Sequence, residues 1–370
     1  MAGFDLTDML ADLQALVEVE SPSRDVTALT RSADAVVELI ERRLGRTPEV
    51  IDGPAGPHVH LRASSAPRVL LIGHHDTVFP LGTLAARPFT VADGRATGPG
   101  VFDMKGGVVV AVHALAAVGA DAAELVISAD EEVGSATSQA LIEQRAVACG
   151  HVLVLEPAAE GGGVKTGRKG VGTFTIEVAG RAAHAGLEPE RGVNALVEAA
   201  HQLLAAAALA DPAAGTTITP TLASAGTAEN VVPAHASVRL DVRVTSLEEA
   251  RRVERALAML VANDPAAAVA IIGGVHRPPL PETATAQLFA LARDVSTSLG
   301  AGPLDGVSVG GGSDGNFPGA LGIPTLDGLG VEGGGAHADH EWVDVASMPR
   351  RAALVGGLVE RLGAHPTGPR

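Results

Sequence analysis

Short, continuously apolar runs in this chain each end abruptly in polar residues. "RVLLIG" at 68–73 runs into "HHD", "ELVISA" at 124–129 into "DEE", and "HVLVL" at 151–155 into "EP". Runs of this length with no polar interruption suit strands covered on both faces, as in a parallel sheet. Around them, "MAGFDLTDMLADLQALVEVE" at the start, "KGGVVVAVHALAAVG" from 105 and "SQALIEQRAVA" from 138 read as helices. The first part of the chain therefore predicts a β/α alternation. Ligands of open α/β sheets bind beyond the carboxyl ends of the strands, so the three polar clusters are expected to meet at one sheet edge.

From 171 the rhythm changes. The order is strand ("VGTFTIEVAG"), helix ("GVNALVEAAHQLLAAAA"), strand ("TTITPTLASA"), strand ("HASVRLDVRV"), helix ("SLEEARRVERALAMLV") and strand ("AAAVAIIGGV"). That is the β-α-β-β-α-β order of a ferredoxin-like unit. Ser246, with Glu249 three residues later, has the spacing of a capping box at the start of the second helix. After "HRPPLPETA", α/β material resumes with "AQLFALARDVSTSLG", a Gly-rich loop, "GIPTLDG" and a last helix near 347–362; the tail from Gly363 is expected to fray. The expected fold class is α/β: a mixed, largely parallel sheet flanked by helices in a domain made of residues 1–170 and 279–370. An α+β, ferredoxin-like domain at 171–278 is inserted into it.

Composition narrows the chemistry. The chain has 370 residues, 27 basic and 43 acidic, for a formal net charge of −16, which argues against nucleic acid or an anionic membrane surface as a partner. No uninterrupted apolar run reaches bilayer length, and the acidic start lacks the pattern of a signal peptide, so a soluble cytoplasmic protein is expected. The one cysteine, Cys149, excludes an intramolecular disulfide framework and a thiolate-rich zinc cluster. Any metal must be held by His, Asp and Glu.

The stretch "ADEEVGS" at 129–135 sets three carboxylates side by side where a buried strand ends. Crowded acids disfavour one another's ionisation unless a positive partner compensates. His74 and Asp76, two apart after a strand, share one side of an extended chain; His74 reads as a ligand and Asp76 as the carboxylate that orients it. His75 between them should point away as an ordinary packed histidine. Asp103, after "GPGVF" and before a helix, could bridge two cations. Glu132 and Glu156 each end a strand, and His337 lies in "GGGAHADHEWVD". In an extended segment Glu131 and Glu132 would face opposite ways, so their roles should differ.

The ordered set "GHHDTV", "GPGVFDMKGG", "DEEVGS", "LEP", "RAAHAG", "NVVP", "GGGSDG" and "HADHEWV" resembles the co-catalytic di-zinc aminoacylase and glutamate carboxypeptidase family. That family includes acetylornithine deacetylases, succinyl-diaminopimelate desuccinylases and folate-cleaving carboxypeptidases. The resemblance spans nearly the whole chain and is closest to the bacterial folate-cleaving, glutamate carboxypeptidase branch. It implies a zinc-peptidase-like catalytic domain with two Zn²⁺ per chain, Co²⁺ or Mn²⁺ being possible substitutes. His74 and Glu156 would bind one ion, Glu132 and His337 the other, and Asp103 would bridge them, with Glu131 as general base. It further implies a homodimer built through the inserted domain, with His184 reaching the partner's site as an oxyanion donor. Asn230, Arg243 and, more weakly, Arg277 match substrate-binding positions. Arginines suit a small-molecule substrate with a free carboxylate, although for Arg243 a structural ion pair is the competing reading. "HHD" departs from the branch, which has a small residue between His and Asp.

The implied reaction is hydrolysis of an amide or peptide bond beside a free α-carboxylate, with release of a C-terminal amino acid; a biosynthetic deacylase is the alternative. A non-catalytic relative would not need Glu131 together with all five ligand types. "GVSVG" at 306–310, followed by Asp327 and His337, matches a serine-hydrolase elbow, but the flanking sequences predict loops where the elbow needs a strand and a helix. "GGGVKTG" lacks the ending of a phosphate-binding loop.

Overall fold

The computed structural model describes residues 3–64 and 68–364. The chain forms two compact units. One contains the chain up to Gly167, Leu280–Val309 and the chain from Ser313; the other contains Arg168–Pro279 and Gly310–Gly312.

The first unit is built on a six-stranded sheet in the order Glu49–Ile51, His58–Leu61, Glu124–Ser128, Leu70–His74, Val152–Val154, Thr325–Leu326. Pairings among the last four strands are parallel, and the two at the other end are antiparallel. The apolar runs are covered on both faces, with Leu70, Leu71, Ile72, Leu125, Val126 and Ile127 all fully buried. Register sets His74 opposite Ser128, so the polar residues that follow these strands leave the sheet at the same edge.

The helix Gly106–Val118 is apolar all round and is buried in the core. Met9 and Leu13 of the helix Leu6–Val17, Val36 and Ile40 of Val26–Leu44, and Val355 and Leu358 of Ser347–Ala364 belong to the same cluster. Fully burying a side chain of this kind contributes roughly 1.5–3 kcal/mol. Val101–Val118 is long and apolar enough to cross a membrane by composition alone, yet 78% of it is buried inside the fold. Gly107 lets this helix approach the sheet, since a Cβ there would lie 2.0 Å from the Leu155 carbonyl oxygen.

The second unit is an antiparallel sheet in the order Thr217–Ala225, His235–Val244, Gly170–Ala179, Ala268–Arg277, with the helices Ala195–Ala207 and Leu247–Ala258. Its own core gathers Phe174, Ile176, Val178, Val238, Leu240, Ala199, Val253 and Leu257. Ser246 caps the second helix by accepting the Glu249 N–H at 3.1 Å. The reciprocal half of the capping box is not made, because the Glu249 carboxylate bonds Thr216 and Arg252 instead.

Three local expectations are revised. Residues Glu131–Val133 form a 3₁₀ turn rather than an extended segment; side chains there still diverge, by about 120° per residue. The sequence predicts loops on both sides of Ser308, but Ser308 lies within a strand, Gly306–Val309, and a short helix, Asn316–Ala320, ends the Gly-rich segment that follows. The last helix runs through Ala364, and the rest of the expected frayed tail lies outside the described residues.

Candidate metal centre

Five segments of the first unit bring the acidic and histidine side chains together. His74 is the last residue of its strand, Glu156 follows Val152–Val154, Glu132 sits in the turn after Glu124–Ser128, and Asp103 lies in the tight turn before the core helix. His337 is presented by the segment after Gly333–Gly334, with a left-handed backbone (φ 62°) that is uncommon outside glycine and clusters at functional sites.

Asp103 is the centre of the group. Its Oδ1 lies 3.3 Å from His74 Nε2, and its Oδ2 lies 3.3 Å from His337 Nε2. Glu156 Oε1 is 3.6 Å from His74 Nε2, and Glu132 Oε1 is 3.1 Å from His337 Nε2. Two sets result, His74–Asp103–Glu156 and Asp103–Glu132–His337, each with its ligand atoms within 4.8 Å of one another. All five residues anticipated as ligands are thus in one cluster, with Asp103 shared.

The donor set fits divalent cations. His74 Nε2 and Asp103 Oδ1 are buried without a hydrogen-bond partner. Such atoms are costly unless something fills the gap between them. Imidazole nitrogens and carboxylate oxygens without thiolate suit Zn²⁺, Co²⁺ or Mn²⁺. Charge gives the same answer. Asp103 and Glu132 raise the His337 pKa to about 10 against the effect of burial. Burial opposes a proton on His74, but Asp103, Asp76 and Glu156 together raise its pKa well above the usual histidine range. The carboxylates demand positive charge at both imidazoles.

Asp76 organises this edge. Its backbone oxygen faces His74 Nδ1 at 2.9 Å, and its carboxylate accepts the N–H groups of Glu131 (3.2 Å) and Glu132 (3.3 Å) and the Ser23 hydroxyl (2.7 Å). His75 turns the other way, with Nε2 3.0 Å from the Pro57 carbonyl, and burial lowers its pKa to about 4. Glu341, which sequence reasoning missed, accepts the N–H groups of Gly100, Phe102 and Asp103 at 2.8–2.9 Å and so fixes the turn that carries Asp103. Burial pushes its pKa up to about 7 despite those three donors. The only hint in the sequence is a carboxylate six residues before the last helix, Ser347–Ala364, which reads as solvated.

The remaining expected residues lie in the second unit. His184 Nδ1 accepts the N–H groups of Gly186 and Leu187, both at 3.1 Å, so in the neutral ring the proton sits on Nε2. The Asn230 carbonyl accepts the Ala185 N–H at 2.9 Å, which sets Asn230 beside the His184 segment. Arg243 forms a bidentate pair with Asp241, both contacts being 2.8 Å. Arg277 is buried, and its stem lies where a Cβ on Gly312 would come within 2.8 Å. Arg168 donates to the carbonyls of Gly311 and Gly312 at 3.2 Å. No serine triad forms: Asp327 accepts from Ser313 at 2.5 Å, and His337 is engaged by Asp103 and Glu132.

Residues 70–361 match the model of a protein family described as Peptidase family M20/M25/M40. The chain belongs to this family. It is 33% identical over 316 residues to carboxypeptidase G2 of Pseudomonas sp. (strain RS-16), covering 82% of this chain and 76% of the relative. A succinyl-diaminopimelate desuccinylase of Sphingopyxis alaskensis is 28% identical over 377 residues, covering 94% of this chain and 97% of its own. Among solved structures, aminopeptidase PepT of Bacillus cereus superposes with a TM-score of 0.77 at 21% identity, covering 97% and 99% of the two chains, a likeness of fold. The protein is therefore an M20 hydrolase of the metallopeptidase and amidohydrolase kind.

Proposed function

We propose that this peptidase hydrolyses an amide or peptide bond beside a free α-carboxylate and releases a C-terminal amino acid. The observation that carries the reading is the shared Asp103, whose two oxygens each face a different imidazole. His74 and Glu156 would hold one Zn²⁺, Glu132 and His337 a second, and Asp103 would contact both. Bound there, the two cations would supply Lewis-acid polarisation of the scissile carbonyl and make water acidic near neutral pH.

The protein's own groups do the rest. Glu131 takes a proton from the attacking water and passes it to the leaving nitrogen, while Asp76 holds its backbone in place. His184, with its proton on Nε2, is suited to donate to a developing oxyanion. The inserted domain presents Leu196, Val197, Leu204 and Leu222 to solvent, and we assign it to a homodimer contact through which His184 and Asn230 would serve the partner's site. Buried arginines such as Arg277 favour a substrate carboxylate. Arg243 is less suited to that task, since Asp241 already engages it in a bidentate pair.

A second reading is a biosynthetic deacylase, favoured by the near full-length similarity to a desuccinylase. A panel of N-acyl amino acids, dipeptides, pteroyl-glutamate-like amides and N-succinyl-diaminopimelate, assayed with added Zn²⁺ or Co²⁺, separates the two. Glu131→Gln should keep two metals per chain and lose about 10²- to 10⁴-fold in turnover, and Glu132→Gln should lose occupancy of one site. Full turnover by a thoroughly metal-stripped sample would overturn the di-metal reading, and sedimentation as a monomer with normal turnover would remove the cross-subunit role of His184.

A further inference from the structure

The turn that carries Glu131 and Glu132 is not held by apolar packing. Val133 is 36% exposed, and among the turn residues between Ser128 and Ser135 only Ala129 is a buried hydrophobic. Yet both flanking serines are fully buried, as is the carboxylate of Asp314 at 3% exposure. Ser128 Oγ donates to Asp314 Oδ2 at 2.9 Å, and Ser135 Oγ donates to Asp314 Oδ1. One carboxylate thus ties down both ends of the turn, one oxygen to each. Ser135 also has a left-handed backbone (φ 59°), a conformation that persists in a non-glycine residue when its surroundings fix it.

We propose that Asp314 is a positioning residue of this hydrolase: by clamping Ser128 and Ser135 it sets the aim of Glu131 and the reach of Glu132. The inference rests on the reading of Glu131 as general base. Asp76 holds the N–H groups of Glu131 and Glu132, Asp130 within the turn accepts from Thr137 and Ser138, and the Ala129 N–H donates to His58 Nδ1. Asp314 adds the link between the two ends of the turn, Ser128 and Ser135. Loss of alignment of about 1 Å at a reacting group costs on the order of 10²-fold in rate.

Asp314→Asn is the informative substitution. A carboxamide puts an N–H donor where one carboxylate oxygen stood, so one serine must accept from residue 314 instead of donating to it, and both contacts lose the carboxylate's charge. We expect kcat to fall about 10- to 100-fold with KM within about twofold, and the affinity of one of two Co²⁺ sites, read by absorbance, to fall while the other holds. Ser135→Ala should give a smaller loss of the same kind, and it carries the test if Asp314→Asn does not fold. In a Glu131→Gln background, Asp314→Asn should cost no further kcat, because an aim that no longer matters cannot be lost. Multiplying losses in that background, a matching rise in KM, or unchanged kcat and Co²⁺ affinity would overturn the proposal. If Glu131→Gln itself turns over normally, the base assignment fails; the Co²⁺ titration then still decides the effect of Asp314 on Glu132.

Discussion

Asp76 fixes His74 through its backbone: the carbonyl oxygen lies 2.9 Å from Nδ1, with the carboxylate Oδ1 3.4 Å away. A carbonyl oxygen can only accept, so Nδ1 carries the proton of the neutral ring and the Nε2 lone pair faces Asp103 and Glu156. Asp76→Ala keeps that backbone contact but removes the carboxylate beside Nδ1 and its hold on the Glu131 and Glu132 N–H groups, and outer partners of this kind typically contribute about 10- to 100-fold in metal affinity. Asp76→Ala should therefore weaken Co²⁺ binding by about that factor, measured by titration of the metal-free protein. Unchanged affinity would mean that the backbone contact alone suffices.

Metal loading should release protons. In the metal-free protein the His337 pKa is raised to about 10, above its ordinary 6.5. Its proton then stabilises the metal-free fold fully below pH 6.5, and that contribution is lost as pH rises through about 10. A cation needs the neutral imidazole, so loading near neutral pH must expel the proton, and affinity must rise with pH. Calorimetry in buffers of different ionisation enthalpy measures the release. Heats independent of buffer, with affinity flat in pH, would contradict it.

Acid stability should depend on Asp12. This carboxylate, 2% exposed, accepts from Arg42, Arg43 and His113 at 2.7–2.9 Å and joins three helices. Burial alone would raise its pKa, but the three donors prevail and hold it at about 2 against the usual 3.8. Its contribution is present above pH 3.8 and is lost as pH falls through about 2. Asp12→Asn should cost roughly 1.5–3 kcal/mol near neutral pH, the scale of hydrogen bonds to charged groups. In denaturant titrations the gap from the parent protein should narrow under acid.

Cys149 should resist thiol reagents. Burial pushes its pKa up to about 12, so the reactive thiolate is scarce at neutral pH. One equivalent of thiol should react in denaturant and almost none in the native protein within minutes. Rapid native labelling would show that the segment around Cys149 opens readily.

The parallel core was legible because Leu70–Ile72 and Leu125–Ile127 are short, apolar without interruption and soon followed by polar residues, a pattern that suits a strand covered on both faces. The candidate ligands His74, Glu132 and Glu156 stood out for a related reason, since each lies within five residues of the end of such an apolar run. What stayed hidden was the polar scaffolding. Asp314 in "GGGSDG" and Glu341 in "ADHEWV" look like solvated loop acids, and nothing local reveals that Ser128, Ser135 or three backbone N–H groups converge on them from distant segments. The Asp241–Arg243 pair, by contrast, was readable from the period of two on a strand, which puts both side chains on one face.

The core helix Gly106–Val118 has a consequence for biosynthesis. Part of its cover comes from Ser347–Ala364, so on a ribosome adding about 5–20 residues per second it waits many seconds for its last neighbour. The inserted unit, nearly all of it continuous from Arg168 to Pro279, has no such wait. Nascent chains stalled before residue 347 should thus yield a protease-resistant fragment from the insert while the Gly106–Val118 region is still cleaved and bound by chaperones. Protection of both regions at that length would show that the helix finds temporary cover elsewhere.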